Sequence, residues 1–198
     1  TLFLVARAVD ALTDPLMGLV VDNTRSRYGK FRPWILVGTV VNSLLLVAVF
    51  STHLLEGPAL YMYAFVTYIL WGITYTIMDI PYWSIIPALS GSRPERELLV
   101  VWPRIFASLA WMLMGGYGLW AISILGNGDE GEGFLFLSLI IVASFIASAL
   151  ITFFMVKEKF STALPLNRFT LADVKNIICQ NDQLKALIGT VLAFNIAI

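Results

Sequence analysis

The stretch Arg7-Ala8-Val9-Asp10-Ala11-Leu12-Thr13-Asp14 puts two carboxylates four residues apart inside the apolar run 1–21. A carboxylate near the middle of a bilayer costs roughly 2.5–3.5 kcal/mol on insertion scales, so two in one helical turn point to a use. On a helix Arg7, Asp10 and Asp14 fall at i, i+3 and i+7 and share one face. Such a face can bind a monovalent cation, or hold a proton in exchange for one, as a coupled transporter requires. The structural alternative is that both acids only neutralise Arg7 and Arg104.

The rest of the chain is of the same class. Hydrophobic residues make up 59% of the 198 and charged residues 13%, about half the charged share of ordinary soluble domains, and the mean hydropathy is +0.82. This is the composition of an all-α membrane protein in contact with a lipid bilayer. No long basic run is present, which excludes a nucleic-acid partner of the usual kind. Single residues Cys179 and His53 leave no disulfide framework and no multi-histidine site. No cofactor is implied. The start lacks a basic n-region and a small-residue cleavage site, so it does not read as a signal peptide. Both ends fall within apolar runs, and the chain reads as a piece of a larger protein.

Five segments approach or exceed the ~20 residues needed to span: 1–21, 34–55, 59–89, 98–125 and 134–156, with a sixth begun near 184. Pro81, Pro87 and Pro103 predict tilts or kinks in the third and fourth. The loops alternate in charge. Arg25, Arg27, Lys30 and Arg32 occupy the first, Arg93 and Arg96 the third, and Lys157, Lys159, Arg168, Lys175 and Lys185 lie in 157–185. The intervening turns carry no Lys or Arg, and one holds Asp129, Glu130 and Glu132. The basic loops therefore face the cytoplasm. Within 160–181, Leu171, Val174, Ile177 and Ile178 fall on one face behind a Thr170/Asp173 start. That reads equally as a short amphipathic surface helix or as a linker with a helical turn.

Two further stripes could carry chemistry. Gly72, Thr76, Asp79 and Trp83 follow i, i+4, i+7, i+11 spacing; the carboxylate suits sugar hydroxyls and the indole an apolar sugar face. Arg104, Ser108, Trp111, Gly115 and Gly118 form a comparable stripe. An arginine within an apolar run must meet an acid or water, and Asp79, Asp10 and Asp14 are the acids on offer. Packing alone would equally account for Trp83 and Trp111. The small residues Gly115, Gly116, Gly118, Ser144 and Ser148 suit close helix packing. Gly126-Asn127-Gly128-Asp129 matches the GxGD pattern of intramembrane proteases, but lies in an acidic turn and reads as a turn.

The stretches 6–18 and 22–34, together with Tyr75-Thr76-Ile77-Met78-Asp79-Ile80-Pro81-Tyr82-Trp83-Ser84, Glu95-Arg96-Glu97 and Pro103-Arg104, closely resemble the glycoside–pentoside–hexuronide:cation symporters of the major facilitator superfamily. Within that family the melibiose-carrying branch is the nearest likeness. The resemblance implies twelve helices in two bundles, with the sugar and cation sites at midplane between them. It makes 1–156 an N-terminal transmembrane bundle without its first helix (helices two to six). It makes 157–183 the cytoplasmic middle loop and 184–198 the start of a C-terminal bundle, whose missing part is a partner of this one. It assigns the coupling ion, Na+, Li+ or H+, to Asp10 and Asp14 with Thr13 and Thr76 nearby. The sugar falls to Asp79, Trp83 and Arg104. Arg7, Asp22, Arg25, Arg27, Lys30 and Arg32 take gating or structural roles, and the setting is the bacterial inner membrane. Thr13 stands where sodium-using relatives often carry an amide, which leaves the ion open.

Overall fold

The computed structural model describes residues 2–160, 173, 176 and 180–197, the side chains of 2–5, 7, 8, 11, 12, 188 and 191–197 excepted. The helices are α1 (Leu2–Asp22), α2 (Arg32–Phe50), α3 (Pro58–Ser84), α4 (Ile86–Leu89), α5 (Arg93–Leu125), α6 (Glu130–Met155) and α7 (Asp182–Ala197), with a 3-10 turn at Thr52–Leu54. No strand occurs among the described residues. The chain divides into two units, 1–162 and 163–198. The second contributes α7, where Asn181 Oδ1 accepts from the Leu184 N–H at 3.0 Å and Lys185 pairs with Asp182. The expected amphipathic helix lies almost wholly outside the described residues.

Four stretches are long and apolar enough to cross a membrane: Arg32–Phe50, Pro58–Leu89, Arg93–Leu125 and Glu130–Met155. The helix α1 has the length but carries Arg7, Asp10 and Asp14, and is not among them. Local chemistry sets the ends. Pro58 opens α3 behind Gly57, whose φ of 73° is open to glycine. The Ser92 side chain caps α5 by accepting from the Glu95 N–H, with Pro94 in the first turn. The helix therefore starts at Arg93, before the expected 98, because a charged first turn is still helix. Asp129 Oδ1 accepts from the Glu132 N–H at 3.1 Å and caps α6. With Asn127 and Gly128 at positive φ just before it, the GxGD stretch is a turn and a cap.

The central hairpin is α2 against α3. A Cβ on Gly38 would stand 2.7 Å from the backbone nitrogen of Met78, so the two helices meet backbone to backbone. Asn42 Nδ2, buried, donates to the Trp71 carbonyl at 2.9 Å and to Thr74 Oγ1 at 3.1 Å. The helix α1 packs on α3, α6 on both α2 and α5, and α4 on α5. Met17, Val21, Phe31, Ile35, Met78, Ile85 and Ala88 form the buried apolar cluster.

The loops segregate by charge. The Phe160 N–H donates to the Ala88 carbonyl, which brings the chain beyond α6 to the α4–α5 turn. At the other end Phe50 and Phe134 stack 5.7 Å apart, and Gly131 lies against His53. Basic turns share one end of the bundle and the acidic turn the other, as the positive-inside reading requires.

Candidate functional site

Packing of α1 on α3 sets two rungs one turn apart. Asp14 Oδ1 accepts from Thr76 Oγ1 at 3.0 Å, and Thr76 is buried. One turn earlier, Asp10 Oδ1 faces Gly72, where a Cβ would stand 3.8 Å away. Glycine thus leaves space beside one aspartate and threonine supplies a hydroxyl to the other. Thr13 turns back on its own helix: its hydroxyl donates to the Val9 carbonyl at 3.1 Å. That leaves only its lone pairs for anything else. The Arg7 side chain lies outside the described residues.

Further along the same stripe, Trp83 Nε1 donates to Asp79 Oδ1 at 3.1 Å. The guanidinium carbon of Arg104, on α5, sits 5.7 Å from the centre of the Trp83 ring. Of the two settings expected for Arg104, an acid or water, the second is met: the residue is exposed. Among the described residues no carboxylate lies within salt-bridge distance of it; the indole stands between Arg104 and Asp79, attracting the cation with its face and the carboxylate with its N–H. The link is indirect. Trp111 is 80% exposed and takes no part.

Asp79 and Trp83 line a cavity of about 470 Å³, with Tyr75 and Tyr82 of α3, Thr39 of α2 and Ser148 of α6 on its walls. That volume lies within the usual range for small-molecule sites. Sequence reasoning misses Tyr75 and Tyr82, although they stand four before and three after Asp79 and so share its face. Thr39 carries no local signal, because its place depends on how α2 meets α3.

The residues expected to act at the cytoplasmic end are partly joined. Lys30 Nζ pairs with Asp22 Oδ1 at 2.7 Å. Arg32 donates to the Phe153 carbonyl and lies over the Phe153 ring. Arg27 turns onto Tyr28, donating to its hydroxyl at 2.6 Å, and Arg25 is exposed.

The model of the MFS/sugar transport protein family matches residues 1–198, the whole chain. The chain belongs to that family. Within it, the chain is 35% identical over 196 residues to the inner membrane symporter YicJ of Escherichia coli, covering 99% of this chain and 42% of YicJ. It is 32% identical over 198 residues to the lactose permease of Lactobacillus helveticus, at 92% and 31% coverage. It is 29% identical over 156 residues to the raffinose carrier protein of Pediococcus pentosaceus, at 74% and 24%. The chain thus spans about two fifths or less of these relatives. Such likeness supports the glycoside–pentoside–hexuronide resemblance, and with four helices of spanning length this is a multi-pass membrane protein.

Proposed function

We propose that the chain forms part of a cation-coupled sugar symporter of the bacterial inner membrane. It moves an α-galactoside such as melibiose together with Na+, Li+ or H+ by alternating access. The observation that carries this reading is the order of groups on one face of α3. The Asp10–Gly72 and Asp14–Thr76 rungs come first, followed within two turns by Asp79 and Trp83, which line a sugar-sized cavity, with Arg104 over the Trp83 ring. Carbohydrate recognition by a carboxylate and an aromatic plane sits directly beside acids suited to a cation.

A cation between Asp10 and Asp14 lowers their mutual repulsion, with the Thr76 hydroxyl oxygen available as a further ligand. Thr13 adds an oxygen lone pair nearby. The sugar takes hydroxyl contacts from Asp79 and Arg104 and stacks on Trp83. Each ligand raises the affinity for the other, since binding coupling is reciprocal. The chain acts as a carrier and leaves the sugar chemically unaltered.

The galactoside preference draws support from relatives named for lactose and raffinose, both of which contain a galactosyl unit. The division into an N-terminal bundle, a middle loop and the start of a second bundle belongs to the same proposal. Uptake of labelled melibiose by sealed vesicles containing the complete carrier tests it. Accumulation driven by an inward Na+, Li+ or H+ gradient is the expected result. Binding without flux under every gradient would make the protein a sugar sensor and overturn the symport reading.

A further inference from the structure

Three backbone amides of the α1–α2 turn converge on one distant side chain. Glu158 stands just past Met155, where α6 ends. Its Oε2 accepts from the Lys30 N–H at 2.9 Å, and its Oε1 from the N–H groups of Phe31 at 3.0 Å and Arg32 at 3.3 Å. The first N–H groups of a helix lack intrahelical partners and carry partial positive charge. The N-cap residue of α2, Phe31, has no side chain able to serve them. A carboxylate from 126–128 residues away therefore caps the helix.

The fit is made to the carboxylate. Gly29 adopts a φ of 104°, and a Cβ there would overlap Glu158. From the same turn Lys30 reaches Asp22 at the end of α1, and Arg32 reaches the Phe153 carbonyl on α6. On its other side the segment past α6 bonds through the Phe160 N–H to the Ala88 carbonyl at 2.9 Å. The Phe160 ring lies against Gly91. Residues 156–160 are thus sewn to both basic turns at this end of the bundle.

We propose that Glu158 is a positioning residue of the transport cycle. Its carboxylate holds the α1–α2 turn where Lys30 meets Asp22, so that the turn and the segment leaving α6 move as one body. The proposal rests on the carrier reading above. Glu158 touches neither Asp14 nor Asp79, and its loss acts on the rate of alternation, leaving sugar affinity in place.

The test uses the complete carrier in proteoliposomes, with wild type, Glu158→Ala, Glu158→Gln, Gly29→Ala and the Glu158→Ala/Gly29→Ala pair. Cation-driven accumulation is measured per molecule of inserted protein, beside equilibrium sugar binding. Glu158→Ala is expected to slow accumulation about tenfold, the effect of one strong interaction on a barrier, with sugar affinity within about twofold. Glu158→Gln, which keeps an acceptor oxygen, falls between it and wild type. Gly29→Ala reaches the contact from the other side, so the double variant is no slower than the worse single one. Unchanged rates per molecule in Glu158→Ala or Gln, even with less protein inserted, would overturn the proposal. So would additive effects of the two sites. A wild type that accumulates no sugar under any cation gradient would instead defeat the carrier reading, and this proposal with it.

Discussion

The Thr76 hydroxyl donates to Asp14 Oδ1 at 3.0 Å across the α1–α3 interface, while Gly72, one turn earlier on α3, faces Asp10. The two aspartates therefore sit in unlike surroundings. Thr76 supplies a hydroxyl to Asp14, while Gly72 presents no side chain to Asp10.

Thr76→Val keeps the shape and removes the donor. A hydrogen bond to a charged group is worth about 1.5–3 kcal/mol, so the apparent cation affinity is expected to fall by about tenfold or more. Sugar affinity at saturating cation stays within about twofold. Titrating each cation against sugar binding in the variant checks this, and an unchanged cation midpoint would contradict it.

Gly72 separates space from chemistry. Gly72→Ala adds a Cβ at 3.8 Å from Asp10 Oδ1, an ordinary contact, and is expected to leave cation dependence intact. Gly72→Leu fills the room beside the carboxylate and is expected to abolish cation-dependent sugar binding. Similar behaviour of both variants in the same binding assay would show that the space is not used.

Trp83 joins Asp79 to Arg104 through two different parts of its ring system. Trp83→Phe retains an aromatic face for the guanidinium and for a sugar, but drops the N–H that Asp79 accepts. Sugar affinity is expected to weaken by about tenfold or more, the worth of one hydrogen bond to a charged group, and by more again in Trp83→Leu, which also loses the face. Equilibrium binding of an α-galactoside orders the three proteins. Equal losses in both variants would assign the whole effect to the N–H.

The α2–α3 hairpin makes a prediction about stability. Gly38→Val pushes a side chain into the backbone of Met78, whereas Asn42→Leu removes bonds to Trp71 and Thr74. Hydrogen bonds between membrane helices average about 0.6 kcal/mol, while overpacking costs about 1–3 kcal/mol. Thermal unfolding of the purified carrier should therefore show Gly38→Val as the more damaging change. The reverse order would mean that polar contacts, rather than close approach, hold the hairpin.

Helical period and the cost of buried charge make the α1 and α3 faces legible in the sequence. Asp10 and Asp14 stand out because charge in an apolar helix is expensive, and Gly72, Thr76, Asp79 and Trp83 because helical spacing aligns them. What escapes a reading of the sequence depends on tertiary approach. The sequence offers Arg104 an acid or water but does not show that the Trp83 ring lies 5.7 Å from its guanidinium carbon. Nor does it show that the Thr13 hydroxyl donates to the Val9 carbonyl of its own helix. Glu158 is one charge in a basic loop until folding brings it to Lys30, Phe31 and Arg32. Apolarity alone places the start of α5 near 98, whereas the Ser92 cap begins it at Arg93.

The central claim is that a cation at the Asp10–Asp14 face raises sugar affinity at the Asp79–Trp83–Arg104 face. The most direct measurement is α-galactoside binding to the complete carrier with Na+, Li+ or neither, across pH, in wild type and Asp14→Asn. Coupling of the usual strength predicts affinity tightened by about 5–150-fold by one of the cations or by protons, and lost in Asp14→Asn. Equal affinity in wild type with and without every cation, protons included, would contradict the account.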